Sequence, residues 1–182
     1  MLLRLGVGSA ANLLEALPGS VDFVDIPALL IMKLFDCRES KTLGETEFLA
    51  AISLIESYIV RRPICGYQTE DSGGFFRDCS SDRRKGTASD LKVALARQRE
   101  SYRFPSDEEY ERALQVGDLY GLRVCRHLLE GLENHETKEP AKTTNYSIEH
   151  IMPKNQRLSL EWGRCWGDWK EIQKTWLHHL VT

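Results

Sequence analysis

The chain has 182 residues, of which 42% are hydrophobic and 28% charged, and its formal net charge is −3. This composition is that of an ordinary folded domain, so it excludes a disordered, collagen-like or disulfide-scaffold protein. A weakly acidic chain is also not one that coats nucleic acid with a uniformly basic surface. The five cysteines are odd in number and form no Cys-x-x-Cys pair, which predicts reduced thiols rather than a zinc ribbon.

Neither a membrane span nor a signal peptide is visible in the sequence. No segment reaches the roughly 18 consecutive apolar residues that a transmembrane helix needs. The N-terminal residues lack the continuous apolar region of a signal peptide. We therefore expect a cytoplasmic protein with no membrane partner.

The first part of the chain carries two apolar segments. The first covers residues 2–17 and ends at Pro18-Gly19, a strong helix stop. The second runs from Ile26 to Phe35 with Pro27 near its start, where proline suits the first turn of a helix. Because this segment is hydrophobic all round, we expect it to be buried.

The clearest predicted helix follows. Thr42 and Glu45 have the spacing of a capping box. Pro63 should end the helix, because the residue before a proline avoids the helical region. The predicted buried face, with apolar residues at steps of three and four, comprises Phe48, Ile52, Ile55 and Ile59.

Beyond a predicted loop at 66–86, helical patterns return. Residues 90–102 read as one helix, Ser106 to Glu109 has capping-box spacing, and Leu122 to Leu132 carries apolar residues at helical intervals. The predicted fold is mainly α: a multi-helix bundle over residues 1–138, a polar linker at 139–145, and a C-terminal appendage at 146–182. In that appendage a short strand at 146–151 precedes a proline turn and a tryptophan-rich helix that starts near Asp168.

Charge is distributed unevenly along the bundle. Residues 82–103 hold seven basic and three acidic residues, whereas residues 106–139 hold nine acidic and four basic ones. Helices of opposite charge could face each other, or the basic block could contact DNA phosphates. Arg61 and Arg62 leave the same two alternatives open: ion pairs with acids of another helix, or phosphate contact.

The sharpest local signal is Ile148-Glu-His-Ile-Met-Pro153. Phosphodiester hydrolysis needs a base that activates water and a cation that neutralises the developing phosphate charge. A histidine titrates near neutral pH and suits the first task, and a neighbouring carboxylate suits the second. An isolated Glu149-His150 pair is more often an ordinary surface feature, so the motif needs support from its context.

Three stretches of the chain resemble, in order and spacing, the GmrSD-type restriction endonucleases and their relatives. They are Ile55–Gly66, Phe104–Tyr110, and the run formed by Leu128–Glu133, Tyr146–Pro153 and Trp162. The similarity extends from about Val24 to Leu180, and Ile148–Pro153 is its most specific part. Proteins of this family join a ParB-like nucleotide-binding domain, a helical middle region and a C-terminal nuclease domain of the HNH (ββα-metal) type.

The resemblance implies DNA as substrate and a divalent metal such as Mg²⁺ as cofactor of the parent protein. It places His150 at the position of the general base and Glu149 at that of an adjacent acidic group that can contact the metal. Lys154 and Asn155 follow in the loop and could contact phosphate, although the motif itself does not assign them this role.

Two departures from the family pattern qualify this interpretation. The Asp-Gly-Gln-Gln-Arg type motif of the nucleotide-binding domain is absent from the chain, so that domain is expected as a separate partner. The chain reads Trp176-Leu-His-His-Leu-Val-Thr182 where the family continues into a Gly-Asn-Leu-Thr-Leu type strand and the metal-site helix. We therefore expect a partial ββα-metal element in a fragment of the enzyme that is inactive alone. The alternative is a non-catalytic helical module that binds a partner protein or DNA.

Overall fold

Helices are the only regular elements in the part of the chain that the computed structural model describes. That part comprises residues 21–67, 87–97, 102–135, 137–139, 141, 143, 145–155, 157 and 159–178, without the side chains of 21–27, 162 and 166. Its seven helices are α1 (Val21–Glu39), α2 (Glu45–Ile64), α3 (Ala88–Ala96), α4 (Asp107–Val116), α5 (Cys125–Glu133), α6 (Leu160–Trp166) and α7 (Trp169–Trp176). This confirms the mainly α prediction; the helix predicted at 2–17 and most of the predicted loop at 66–86 lie outside the described residues.

Helix α2 is the centre of the bundle, since α1, α3 and α4 all contact it. The four apolar residues predicted to form its buried face are at most 5% exposed. They pack into a first core with residues of α1 and α3, among them Leu30, Leu34, Leu91 and Leu95. None of the described helices is both long and apolar enough to cross a membrane.

Helix α1 differs from its prediction in two ways. It begins at Val21, before Pro27, rather than at Ile26. It is also not buried all round: Leu30 and Leu34 are fully buried, whereas Leu29 is 52% and Met32 64% exposed. Among the described residues, α1 packs on α2 through the face that carries Leu30 and Leu34. Leu29 and Met32 lie outside this face and remain exposed.

The ends of α2 also differ from the predicted ones. The residue before the first helical turn is Gly44, and the Thr42 hydroxyl donates a hydrogen bond to the Cys37 carbonyl at 3.0 Å, which closes the end of α1. The predicted capping box at Thr42 is therefore wrong. Pro63 lies in the last turn rather than beyond it, because the helix runs to Ile64. A shift of one or two residues at a helix end is common.

The N-terminal cap of α4 is confirmed at Ser106, whose hydroxyl accepts a hydrogen bond from the Glu109 backbone N–H at 3.3 Å. Loss of such a cap costs about 1 kcal/mol. We therefore expect Ser106→Ala to lower the free energy of unfolding by about 1 kcal/mol in urea denaturation followed by circular dichroism. Ser53 is exposed inside α2, so Ser53→Ala is the matched control and should be neutral or slightly stabilising. Equal effects of the two substitutions would contradict a capping role.

A second core joins the C-terminal half of α2 to the chain that follows Phe104. Val60 and Ile64 of α2 contact Tyr110 of α4 and Leu128 of α5 there, together with Leu119 from the loop between these helices. Leu119 is 1% exposed and anchors this loop in the second core. The loop is therefore fixed in position where residues of the candidate site contact it.

Arg61 is part of this packing rather than of a surface. Its side chain is 8% exposed, and its Nη1 donates to the Asp107 carboxylate at 2.5 Å and to the Pro105 carbonyl at 3.4 Å. The guanidinium also lies over the rings of Phe104 and Tyr110, with its carbon 5.3 and 4.8 Å from their centroids. Of the two alternatives left by the sequence, the ion pair with an acid of another helix is therefore confirmed for Arg61.

Arg62 is buried still more completely, at 1% exposure. Its Nη1 donates to the Arg103 carbonyl at 3.3 Å, and its guanidinium lies 5.3 Å from the ring centroids of Tyr58 and Tyr67. A DNA phosphate cannot reach a side chain in this position. The expectation that Arg61 and Arg62 contact nucleic acid is accordingly corrected: both fasten α2 to the segment that leads into α4.

The acidic first turn of α4 makes this contact sensitive to pH. The hydrogen bond from Arg61 lowers the pKa of Asp107, and that from the Tyr67 hydroxyl lowers the pKa of Glu109. A carboxyl whose pKa is lower in the folded state contributes stability above its unfolded pKa and loses it as pH falls. We expect the free energy of unfolding to decline below about pH 4 to 5. The double variant Asp107→Asn, Glu109→Gln should flatten this decline in urea titrations at several pH values, and an unchanged slope would contradict the assignment.

The predicted strand is wrong. Residues 146–150 have no regular secondary structure. A strand persists only when its backbone pairs with a neighbouring strand, and no strand occurs among the described residues. Downstream, the predicted helix near Asp168 is confirmed as α7, and α6 precedes it.

Candidate functional site

Three separate segments meet beside the second core. The loop after α4 supplies Asp118 and Tyr120, the irregular segment 147–155 supplies Glu149 and His150, and the turn after α7 supplies His178. The first and last are joined by a backbone hydrogen bond, which Leu119 donates to the His178 carbonyl at 3.2 Å. The Asp118 carboxylate is 3.2 Å from Nδ1 of His178, a second link between the same two segments.

The centre of the site is a cluster of rings formed by Tyr120, His150 and His178, which we call the ring cluster. The centroid of His150 lies 4.4 Å from that of Tyr120, with the two planes inclined by 62°. His178 stacks on Tyr120 at 5.2 Å and 22°, and it meets the edge of His150 at 5.6 Å. His150 is thus held by two aromatic neighbours from segments far away in the sequence.

The surroundings of His150 favour its neutral form. Partial burial lowers the pKa of this imidazole, and the nearby charge of Lys154 and the presence of His178 act in the same direction. The Glu149 carboxylate opposes them, but the net shift is downward. A histidine with a lowered pKa is uncharged at neutral pH, so its ring nitrogen can accept a proton.

Glu149 lies on the solvent side of this site. Its side chain is exposed, and its Oε1 accepts a hydrogen bond from the Ser147 hydroxyl at 2.7 Å. Mg²⁺ prefers octahedral oxygen coordination, but no group of three or more potential ligands gathers within the described residues. Glu149 by itself does not form a ligand set, so we derive no chemical step through a metal. The expected divalent cofactor stays a prediction for the parent protein.

Lys154 reaches the ring cluster, whereas the side chain of Asn155 acts locally. The Lys154 ammonium lies 3.9 Å from the Tyr120 ring centroid, a cation–π contact. The Asn155 carboxamide accepts a hydrogen bond from the Arg157 backbone at 2.9 Å. Gln173 of α7, only 9% exposed, donates to the carbonyls of Pro153 at 2.6 Å and Asn155 at 3.3 Å. These two bonds fasten the segment that carries Lys154 to α7.

Sequence patterns did not single out several residues that build this site. Tyr120, Asp118 and Gln173 fall in ordinary loop and helix contexts, with no motif around them. His178 follows the tryptophan-rich helix, in the run that starts at Trp176, and has no motif of its own. Their common property is a tertiary one, because all of them contact the 150–155 segment or His178 across long stretches of chain.

One family model matches the part of the chain that contains these residues. Residues 104–181 match the family model described as GmrSD restriction endonucleases, C-terminal domain. This segment contains the whole ring cluster, α4 to α7 and the Glu149-His150 motif, and the match confirms the resemblance over this part of the chain. No curated protein and no solved structure matches the chain. The division at residues 139–145 into bundle and appendage stays a prediction.

Proposed function

We propose that the chain is part of a DNA-cleaving endonuclease of the HNH type, called below the parent endonuclease. His150 is the general base in this proposal, and Glu149 is the acidic neighbour that contacts a divalent cation in the complete site. The observation that carries it is the placement of His150: an imidazole whose pKa is lowered by partial burial and by Lys154, in contact with Tyr120 and His178, within the segment that matches the restriction endonuclease domain.

The chemistry of the proposed step uses this placement directly. A general base must receive a proton from water as the water attacks phosphorus, and an uncharged imidazole does this near neutral pH. The two rings that contact His150 limit the orientations it can adopt, which favours one geometry of attack. The Lys154 charge beside it supports the binding of a phosphate at the same place.

The 182-residue chain by itself is proposed to be inactive, because the described residues bring no group of three potential metal ligands together beside His150, and a single carboxylate holds a catalytic cation poorly. The test is incubation of the chain with plasmid DNA and Mg²⁺ or Mn²⁺. We expect no metal-dependent cleavage. Cutting that disappears when the metal is chelated would contradict the proposed inactivity. The cleavage rate of His150→Ala would then decide whether His150 is the base.

The second candidate is a module that binds DNA without cutting it. The incomplete ligand set beside a lysine-rich surface favours it, since phosphate binding by lysine needs no metal. The two candidates differ in the parent protein: an endonuclease loses cleavage when His150 is replaced, whereas a binding module does not.

A further inference from the structure

A pocket of about 550 Å³ adjoins the ring cluster on the side of α7. Its volume lies within the range of roughly 300 to 1,000 Å³ that is usual for ligand sites. Three of the nine residues that line it are lysines, Lys154, Lys170 and Lys174, and the others include His178, Trp169 and Asp118. Three lysines therefore line one concave surface in a chain whose net charge is −3.

The three lysines are brought together by helical spacing and by the Gln173 contact. Lys170 and Lys174 are four residues apart on α7 and so share one face of it. Lys154 joins them because Gln173 holds the backbone on either side of it against the same helix. The convergence depends on fixed backbone positions, although the side chains themselves are long.

The charges of these lysines are not neutralised by neighbouring carboxylates. Within the described residues none of the three forms an ion pair. The acidic residue in the lining, Asp118, is engaged by His178. Lys170 also lies in the first turn of α7, where the helix dipole disfavours a cation. Three lysines that line one pocket repel one another, and a bound anion would offset this repulsion.

The pocket is continuous with the proposed catalytic position. Lys154 and His178 line the pocket and both contact Tyr120, whose ring lies 4.4 Å from that of His150. An extended anion bound by the lysines would therefore pass close to His150. Trp169 also lines the pocket, and the Lys170 ammonium lies 5.7 Å from its ring centroid, so a cation and an aromatic ring stand side by side in the lining.

We propose that this pocket binds the sugar-phosphate backbone of one DNA strand, with Lys170 and Lys174 contacting phosphates next to the one that faces His150. The assignment rests on the proposed function for the identity of the polyanion. It adds the two lysines of α7, which no sequence motif marks, and it gives the strand a direction of approach along α7. Its binding role requires no metal.

The test is equilibrium binding of the 182-residue chain to a short fluorescent single-stranded oligonucleotide, with metal ions chelated. We expect the double variant Lys170→Gln, Lys174→Gln to bind about tenfold more weakly. Each lost phosphate contact should lower the slope of log affinity against log salt by about 0.7, so two should lower it by about 1.4. The matched control, Lys41→Gln with Lys138→Gln, removes the same charge from exposed positions outside the pocket and outside the basic block 82–103, and it should change the affinity less than twofold.

Two results would overturn the proposal: unchanged binding by the pocket variant, or equal weakening by the control variant, which would mean that overall charge alone matters. Its failure can be told apart from that of the proposed function. The proposed function has its own readout: His150→Ala should slow cleavage by the parent endonuclease about 10²- to 10⁴-fold whether or not the pocket binds the strand. If the double lysine variant binds normally and cleavage still depends on His150, the proposed binding of the strand by the pocket is wrong and the proposed function stands.

Discussion

Replacement of His150 by alanine is expected to slow DNA cleavage by the parent endonuclease about 10²- to 10⁴-fold, the range associated with loss of a general base. The reason is the state of this imidazole. Its lowered pKa leaves the ring uncharged at neutral pH, and Tyr120 and His178 hold it in place. The measurement is the single-turnover rate of plasmid cleavage with Mg²⁺ present.

Two further variants make this result specific to the base. His150→Gln keeps a polar side chain of similar reach but cannot act as a base near neutral pH, so it should be as defective as alanine. His135→Ala is the matched control, because His135 follows α5 and is not part of the ring cluster; it should retain the wild-type rate. A His150→Ala protein with an intact circular dichroism spectrum and normal cleavage would exclude His150 as the base.

The largest expected loss of stability comes from Arg61→Ala, at about 2 to 3 kcal/mol in the free energy of unfolding. The substitution removes a buried guanidinium that contacts Asp107, the Pro105 carbonyl and two rings, and with it the main polar link between α2 and α4. The estimate stays below the full cost of breaking a buried ion pair, because the Asp107 side chain is 57% exposed and can be hydrated again.

Arg38 provides a matched control for this substitution. It forms an ion pair of similar length, 2.7 Å, with Glu45, but both side chains are largely exposed at 43% and 56%. An exposed pair contributes at most about 1 kcal/mol, so Arg38→Ala should shift the urea midpoint much less. Comparable shifts for the two variants would show that burial of Arg61 does not matter. Arg61→Met keeps most of the side-chain volume but removes the hydrogen-bond donors. The difference between its free energy of unfolding and that of Arg61→Ala therefore measures the contribution of packing.

The segment that matches the family model begins inside the region predicted as the helical bundle, 1–138. The matched segment begins at Phe104, and residues from 110 onwards share a core with Val60 and Ile64 of α2. Arg61 contacts both Phe104 and Pro105, at the start of that segment. We therefore expect an isolated piece that starts at residue 104 to be less stable than the chain that includes α2, since it would expose one side of this core.

Local patterns were sufficient for the helices that depend on them. The apolar face of α2 repeats at steps of three and four, and Ser106 precedes an acidic turn, so both could be predicted from neighbouring residues. Thr42 shows the limit of this approach, because its hydroxyl donates to the Cys37 carbonyl at the end of α1 and does not cap α2. The exposure of Leu29 and Met32 could not be predicted either, because composition does not show which face of α1 packs against another helix.

The sequence by itself determined the mainly helical architecture and pointed to His150 and Glu149, because helical periodicity and a contiguous motif are properties of short stretches of chain. Only the tertiary structure decided that Arg61 and Arg62 are buried and that residues 146–150 form no strand. It also decided that Tyr120 and His178 contact His150, and that the lysines of α7 line the adjoining pocket. The physical reason is distance along the chain. Burial, strand pairing and convergence of charge depend on partners that lie tens of residues away, and no local pattern encodes which partner is met.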